Sequence, residues 1–525
     1  MIDIQKSVEA RRIGRIALGD IVHRSARRAG SRIAVIDGDE RLTHAELDAR
    51  SSQFAHFLCA TLPKGGQVAT LCENSAELLV AMNGIHKAGD VWVPVNIKLD
   101  VAQIGYILRH AEVVGIVADE DVCLEPKMAA LLTELGLPVV VTRATGKTSV
   151  STLTFSEALH GRPDHLPDVD IDADQPALIM YTSGTTGNPK GVVHTHGSVH
   201  YALIANIATF GYSQADVVSC MLPLFHCGQH NASAAALAAG ASLVIARGFN
   251  PGNLIADIVE RRVSVIVGLP MMYGAVLAHP SAQSADFSSL RLCVYAMAPM
   301  SQELVAAISQ RMCPNLMLAT GQTEIYPVTM SYHRTLDDGR NANYWGVSTS
   351  IVETAIMDDE GNLLPPGEVG EIVHRGPNVM LGYFKDAEAT AAAQKFGWHH
   401  TGDIGMFDEG GQLQFLDRKK DMIKTGGENV ASIKVESAIL GHPAVASVAV
   451  LGLPHPHWSE AICAVVVLKP DMPCSEAELD AWCRERLGKF EVPKAIRFVE
   501  QLPVTATGKI RKQVLRSQFE GLFHG

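Results

Sequence analysis

The sequence predicts an α/β protein: a large multi-layer N-terminal domain with a β-rich subdomain at its end, then a small α+β C-terminal domain. Three observations carry this. Helical and strand-like apolar patterns alternate along the first part of the chain, the texture changes to short strands and turns over residues 352–376, and a charged run at residues 417–421 precedes a compact helix-plus-sheet pattern. At 525 residues the chain exceeds what one hydrophobic core serves, so at least two domains are expected, residues 1–418 and 419–525.

The elements follow in order. Residues 46–58 have helical apolar spacing, 67–71 read as a strand and 76–88 return to helix. Short β-branched runs at 139–142, 242–246 and 263–267 are separated by helical stretches, which is the layering of an α/β domain. The alanine-rich window 232–246 is broken by Gly240 and is shorter than the ~20 residues a membrane span needs, so it reads as a buried helix followed by a strand. Residues 358–362 (Asp-Asp-Glu-Gly-Asn) mark a hairpin tip and Pro365-Pro366-Gly367 a second turn. Beyond the charged run, 435–440, 445–451 and 464–468 begin the small domain.

Composition narrows the function. There are 44 basic against 56 acidic residues, net −12, with no basic cluster of the kind that tracks a nucleic-acid backbone, so nucleic acid is not an expected partner. The ten cysteines are scattered without a Cys-x-x-Cys pair and read as reduced core residues. Residues 1–12 offer no apolar stretch for a secretory signal, the last four residues match no prenylation or peroxisomal motif, and a cytoplasmic protein without an integral membrane segment is expected.

The most informative stretch is Tyr181-Thr182-Ser183-Gly184-Thr185-Thr186-Gly187-Asn188-Pro189-Lys190-Gly191, entered from the apolar run 177–180. Glycines let the backbone approach an anion closely, hydroxyls and N–H groups donate to it, and Lys190 adds a mobile positive charge, so the loop suits a nucleotide triphosphate. Lys190 is followed by glycine rather than Ser or Thr, which excludes a Walker A loop, and the spacing is not Gly-x-Gly-x-x-Gly. Small-residue content alone would also fit a surface turn.

The stretch resembles the phosphate-binding signature of the adenylate-forming superfamily, which includes acyl-CoA synthetases, luciferases and peptide-synthetase adenylation domains. Further motifs follow in order: 222–226 (Leu-Pro-Leu-Phe-His), Thr320-Gly321-Gln322-Thr323-Glu324, 397–403 ending Thr401-Gly402-Asp403, Asp417-Arg418-Lys419-Lys420-Asp421, Gly426-Gly427-Glu428-Asn429 and Thr507-Gly508-Lys509-Ile510-Arg511. The resemblance implies ATP, Mg2+ and CoA as reactants or cofactor, with a small carboxylic acid as the other substrate. It places Thr182, Ser183, Gly184, Thr185, Thr186, Gly187, Ala298, Thr320, Gln322 and Thr323 at the nucleotide, with Lys190 at its phosphates. Glu324 is the carboxylate for magnesium, and Asp403 accepts from the ribose hydroxyls with help from Arg418. Lys509 bridges carboxylate and α-phosphate during adenylation. His226 gates access to the adenylate, Gly426 and Gly427 line a pantetheine tunnel, and Lys420 is the hinge about which the small domain rotates between half-reactions.

The residues themselves carry further readings. His226 and His230 have helical spacing, but no glutamate follows as in His-Glu-x-x-His and no third ligand suggests itself, which disfavours a metal pair. His399, His400, His455 and His457 read as turn or surface residues. Compared with the family, Thr320 replaces an aromatic residue expected against adenine. Met297 sits where smaller residues are commoner, near the adenine or acyl group. Residues 431–436 (Ala-Ser-Ile-Lys-Val-Glu) lack the usual proline and first glutamate.

His226 stands where amino-acid-activating domains carry aspartate, which disfavours an amino acid substrate. Gly228 stands where aromatic-acid ligases often hold a bulky residue, and Gly268, Ala298 and Ala319 are small too, which fits either a roomy acyl pocket or close packing. The expectation is an AMP-forming acyl-CoA synthetase for medium- or long-chain fatty acids. The alternatives are an aryl or arylpropenoic acid–CoA ligase, an adenylating enzyme that loads a carrier protein, and an adenylate-binding protein without ligase activity.

Overall fold

The computed structural model describes residues 13–147, 152–182, 188–296, 300–334, 343–504 and 510–523. The chain divides into two units: a large one containing most of the chain up to residue 354 together with 374–399, and a small one containing 355–373 and the chain from 400 onward.

Two sheets organise the large unit. One has the order Tyr344–Ser348, Ile325–Arg334, Leu316–Gln322, Leu292–Tyr295, Val265–Gly268, Val217–Cys220, Ser242–Ile245, Ile33–Asp37, Glu40–Thr43. Its central strands pair in parallel. Val265–Gly268 and Leu292–Tyr295 are buried at every position, which explains their unbroken apolar runs. The other sheet, eight-stranded among the described residues, has the order Gly382–Tyr383, Lys190–Thr195, Pro176–Thr182, Val91–Pro94, Gln67–Leu71, Val113–Asp119, Val139–Thr142, Leu153–Thr154.

Helices His44–Thr61, Ala76–Ala88, His196–Phe210 and Cys227–Ala239 share one core with both sheets. Phe54, Leu79, Val199 and Ala235 pack with Val68 and Leu178 of one sheet and Val218 and Leu243 of the other. Helices Pro251–Arg261, Pro270–Ala278 and Gln302–Arg311 cover the first sheet's outer face, and Val101–His110 and Pro126–Leu135 cover the second's. The result is five alternating layers, the multi-layer α/β domain expected.

Local chemistry sets the element ends. Helix His44–Thr61 starts two residues before its apolar pattern because Thr43 and Glu46 form a reciprocal capping box. Ser75 caps Ala76–Ala88 and Gly89, at φ 75°, ends it, so that element keeps the bounds read from sequence. Gly240, at φ 83°, stops Cys227–Ala239 and frees the chain to enter strand Ser242–Ile245. The strand expected at 263–267 runs instead over Val265–Gly268. Ser264 is drawn out of it, its hydroxyl donating to Asp216 and accepting from the Val217 N–H.

In the small unit the turn at 358–362 closes as expected, with the Asp358 N–H donating to the Asn362 carbonyl. Strand Leu413–Arg418 pairs antiparallel with Trp398–Phe407, placing Asp403 opposite Arg418. A sheet of five strands among the described residues follows: Glu428–Val430, Ile423–Thr425, Ser459–Leu468 and Val445–His455, with Ala495–Phe498 on Ser459–Leu468. One face packs on Val435, Ile439, Leu479 and Cys483 of its helices, the other on Leu502 and Leu515.

Candidate active site

The phosphate-loop motif joins two paired strands. Pro176–Thr182 and Lys190–Thr195 run antiparallel with Thr182 opposite Lys190, so the lysine begins the strand that follows the loop. Ser183, Gly184, Thr185, Thr186 and Gly187 lie outside the described residues, as do Met297, Ala298 and Lys509. Lys190 Nζ is 3.7 Å from Asp386 Oδ2 and 4.9 Å from the centroid of the Tyr383 ring. Its ammonium is half-exposed and available to an anion.

Glu324 lies in the tight turn between strands Leu316–Gln322 and Ile325–Arg334. Four separate segments hold that turn. His194 Nε2 lies 2.6 Å from the Thr323 carbonyl, and because a carbonyl only accepts, Nε2 carries the proton. Burial pushes the His194 imidazolium pKa down to about 4, so the ring is neutral at physiological pH. The Met380 N–H donates to the Glu324 carbonyl. The Tyr383 hydroxyl donates to Glu324 Oε1 at 2.9 Å. Tyr326, two residues on, shares a hydrogen bond with His230 Nδ1, so His230 serves the aromatic core of this site. Gln322 Oε1 accepts from His399 Nε2 at 3.4 Å; His399 is buried, not at the surface as its polarity suggested, because it finds this partner inside the fold.

Thr320 is partly buried, just past the last buried residue of its strand, and its hydroxyl has no hydrogen-bond partner among the described residues. A Cβ on Gly321 would come within 2.6 Å of Pro327 Cβ, which is why the motif needs glycine there.

His226 is the N-cap of helix Cys227–Ala239. Its loop is held by two buried amides that sequence reading missed. Asn74 Oδ1 accepts from the Leu224 N–H at 2.9 Å while its Nδ2 donates to the carbonyls of Leu222 (2.9 Å), Ala246 (3.2 Å) and Cys220 (3.3 Å). Gln229 Oε1 accepts from the Leu222 N–H. The signal available was an asparagine just after an apolar strand, where a polar side chain must find several partners. Cys227 Sγ is 3.5 Å from Thr323 Oγ1, so the His226 helix start and the Glu324 turn meet.

The small residues near His226 divide in two. A Cβ on Gly228 would meet nothing within 4 Å. One on Gly268 would meet Met221 Cε at 3.1 Å and the Tyr273 ring at 3.4 Å, and Ala319 is buried in the core, so at those two positions smallness serves packing.

The small unit carries its own half of the motifs. Asp403 is buried, with Arg418 Nε 3.4 Å from its Oδ1 across the strand pair. His400 Nδ1 is 3.2 Å from Glu371. Gly426 and Gly427, at φ 59° and 89°, form the two-residue turn between Ile423–Thr425 and Glu428–Val430, a conformation side chains disfavour. The Gly426 N–H donates to the Trp458 carbonyl, and a Cβ on Gly426 would lie 3.6 Å from that indole. His455 stacks on Trp458 at 4.4 Å and Lys494 Nζ sits 5.0 Å from its ring centroid, so His455 is part of an aromatic platform, while His457 is exposed as expected.

Ser432 occupies the position where proline was expected. Its N–H donates to the Asp417 carboxylate, a bond proline cannot make, and its hydroxyl accepts from Lys512 Nζ at 2.7 Å. Lys512 also pairs with Glu436 at 2.7 Å, and Arg516, one turn on, with Asp421 at 2.7 Å. Lys434, in place of glutamate, pairs with Glu491 at 2.5 Å. The helix Lys512–Phe519 is thereby tied to both flanks of Lys420.

A magnesium ion fits the donor set through its substrate. The described residues hold no group of three or more His, Cys, Asp or Glu able to cage a metal. Magnesium that arrives with phosphates takes only one or two carboxylates, and Glu324 offers one, oriented by Tyr383.

The sequence motifs thus fall on Lys190, the Glu324 turn and the start of helix Cys227–Ala239 in the large unit, and on Asp403 and the Gly426–Gly427 turn in the small one. The AMP-binding enzyme family model matches residues 22–384 and the AMP-binding enzyme C-terminal domain model residues 434–509. A feruloyl-CoA synthase of Amycolatopsis sp is 33% identical over 504 residues, covering 96% of this chain and 99% of that protein. A long-chain-fatty-acid–CoA ligase of Mycobacterium tuberculosis is 34% identical over 487 residues, covering 92% and 94%. The solved structure of the anthranilate CoA ligase AuaEII in complex with anthranoyl-AMP aligns with a TM-score of 0.86 at 27% identity, covering 96% of this chain and 97% of that one. The chain belongs to the AMP-binding enzyme family and is an AMP-forming acid–thiol ligase using ATP and CoA. No helix among the described residues is long and apolar enough to cross a membrane.

Proposed function

We propose that this ligase activates an apolar carboxylic acid, a medium- or long-chain fatty acid, as its acyl adenylate and passes the acyl group to CoA. The supporting observation is the open space over Gly228, two residues after His226 and two before His230, where an acyl chain can leave the reaction centre without meeting a side chain. The long-chain-fatty-acid–CoA ligase relative supports the same reading.

In the first half-reaction the acid's carboxylate attacks the α-phosphorus of ATP and pyrophosphate leaves. Two anions must be brought together, so positive charge and N–H donors have to be concentrated around them. Lys190 and the loop backbone take the β- and γ-phosphates, and Lys509 takes the reacting carboxylate and α-phosphate. Glu324 would hold magnesium, which when bound offsets phosphate charge. Asp403, acceptor-only when ionised, takes the ribose hydroxyls and Arg418 holds it in place. Met297, Ala298, Thr320, Gln322 and Thr323 lie along the nucleotide and acyl group. After rotation of residues 419–525 about Lys420, the turn Gly426–Gly427 and the Trp458 platform guide the pantetheine thiol to the adenylate, and AMP leaves.

An arylpropenoic acid is the second reading, favoured by the feruloyl-CoA synthase relative. Rates of AMP release with C8 to C18 fatty acids and with cinnamic and benzoic acids separate the two. Gly228→Trp should cut kcat/KM for long chains at least tenfold while sparing a short acid. A wild-type preference for cinnamic acids would overturn the fatty-acid reading.

A further inference from the structure

We infer that Tyr383 is a positioning residue that keeps Lys190 and Glu324 apart and correctly aimed, so that one meets phosphate and the other magnesium. The inference rests on the roles proposed above for those two residues.

Opposite charges facing one ligand tend to pair with each other, and a lysine closed onto the magnesium carboxylate would neutralise both. Tyr383 stands between them. Its ring face takes the Lys190 ammonium at 4.9 Å, a cation–π contact, while its hydroxyl, at the ring edge, donates to Glu324 Oε1 at 2.9 Å. The lysine's acidic neighbour is Asp386, at 3.7 Å. One aromatic side chain thus serves a cation and a carboxylate in two directions fixed by its geometry.

The main chain around Tyr383 is held firmly enough for this task. Strand Gly382–Tyr383 pairs with the strand that carries Lys190, Tyr383 opposite Val192. The Tyr383 N–H donates to Thr390 Oγ1 at 2.9 Å and the Phe384 N–H to the Gly191 carbonyl at 2.7 Å. Thr390 closes the other side, since a Cβ on Gly382 would lie 2.9 Å from its methyl.

The test measures binding of ATP by isothermal titration to the full-length protein, with and without Mg2+ and with no acid present, so that no chemistry occurs. Wild type is compared with Tyr383→Phe, Tyr383→Leu and Glu324→Gln, and CoA thioester formation is followed in parallel. Tyr383→Phe keeps the ring and removes the donor, so it should weaken MgATP binding about tenfold, the low end for a hydrogen bond to a charged group, while leaving metal-free ATP binding unchanged. Tyr383→Leu frees Lys190 as well and should weaken both. Equal weakening of both by Tyr383→Phe would mean a merely structural role and overturn the inference. If Glu324→Gln weakens MgATP binding and Tyr383→Phe does not, the inference fails while the Glu324 reading stands. If Glu324→Gln binds MgATP like wild type, the reading beneath the inference has failed.

Discussion

Replacing Asn74 tests how the His226 loop is held, because this side chain is 5% exposed and makes one acceptor and three donor contacts there. Asn74→Ala strands the Leu224 N–H and removes the side-chain donor from the Leu222 and Ala246 carbonyls. The Cys220 carbonyl keeps the Ala246 N–H. At 1–3 kcal/mol for a stranded buried group and about 1 for each of the two lost donors, the cost is about 3–5 kcal/mol. Asn74→Asp is more informative, because an ionised carboxylate still accepts from Leu224 but faces the carbonyls at 2.9–3.3 Å with nothing to donate.

That repulsion raises the folded-state pKa of the introduced acid above its unfolded value of about 3.9. The fold then binds the proton more tightly than the unfolded chain, so stability is greatest at low pH and is lost as pH rises from about 4 toward the raised pKa. Urea unfolding of wild type, Asn74→Ala and Asn74→Asp at pH 5 and pH 8, with ligase activity assayed at each, reads this out. Asn74→Asp should be the less stable of the two variants at pH 8 and should match or exceed Asn74→Ala at pH 5. A gap between them that is the same at both pH values would refute the hydrogen-bond assignment.

Three further outcomes follow from the same geometry. Gly321→Ala drives a methyl to within 2.6 Å of Pro327 Cβ, so the Glu324 turn must shift; kcat should fall at least tenfold with a wild-type circular dichroism spectrum. Lys512→Met leaves the largely buried Glu436 without its cation and should raise hydrogen exchange over residues 512–523 by roughly a hundredfold, whereas Lys512→Met with Glu436→Gln should recover most of that protection. Asp90 is buried and its carboxyl pKa is pushed up to about 7 by desolvation, so the folded state holds its proton and stability declines as pH rises from about 4 to 7. Asp90→Asn should flatten that part of the stability profile and be the more stable form at pH 8.

Much of this was legible in the sequence where one physical signal dominates. The helix at 76–88 carries both its serine cap and its terminating glycine, and the strand at 67–71 is bounded by turn residues, so neither needed tertiary information. The apolar run 177–180 that leads into the phosphate loop likewise marks the strand Pro176–Thr182. What escaped depends on distant partners. His399 was read as a surface residue because nothing in its neighbours announces Gln322, 77 residues away, as its partner. Asn74 serves carbonyls about 150 residues on. Gly268 and Gly228 look alike in sequence, yet one is filled by Tyr273 and Met221 and the other is open, a distinction only packing makes. The consequence of Ser432 in place of proline likewise needed Asp417 and Lys512 in view.

The measurement that bears most directly on the central claim follows AMP and acyl-CoA together, with ATP, Mg2+, CoA and a panel of fatty, benzoic, cinnamic and amino acids, for wild type and Lys509→Ala. The account expects equal amounts of AMP and thioester from medium- or long-chain fatty acids, little from amino acids, and loss of adenylate formation in the variant. AMP released without any CoA thioester, or undiminished adenylate formation by Lys509→Ala, would contradict it.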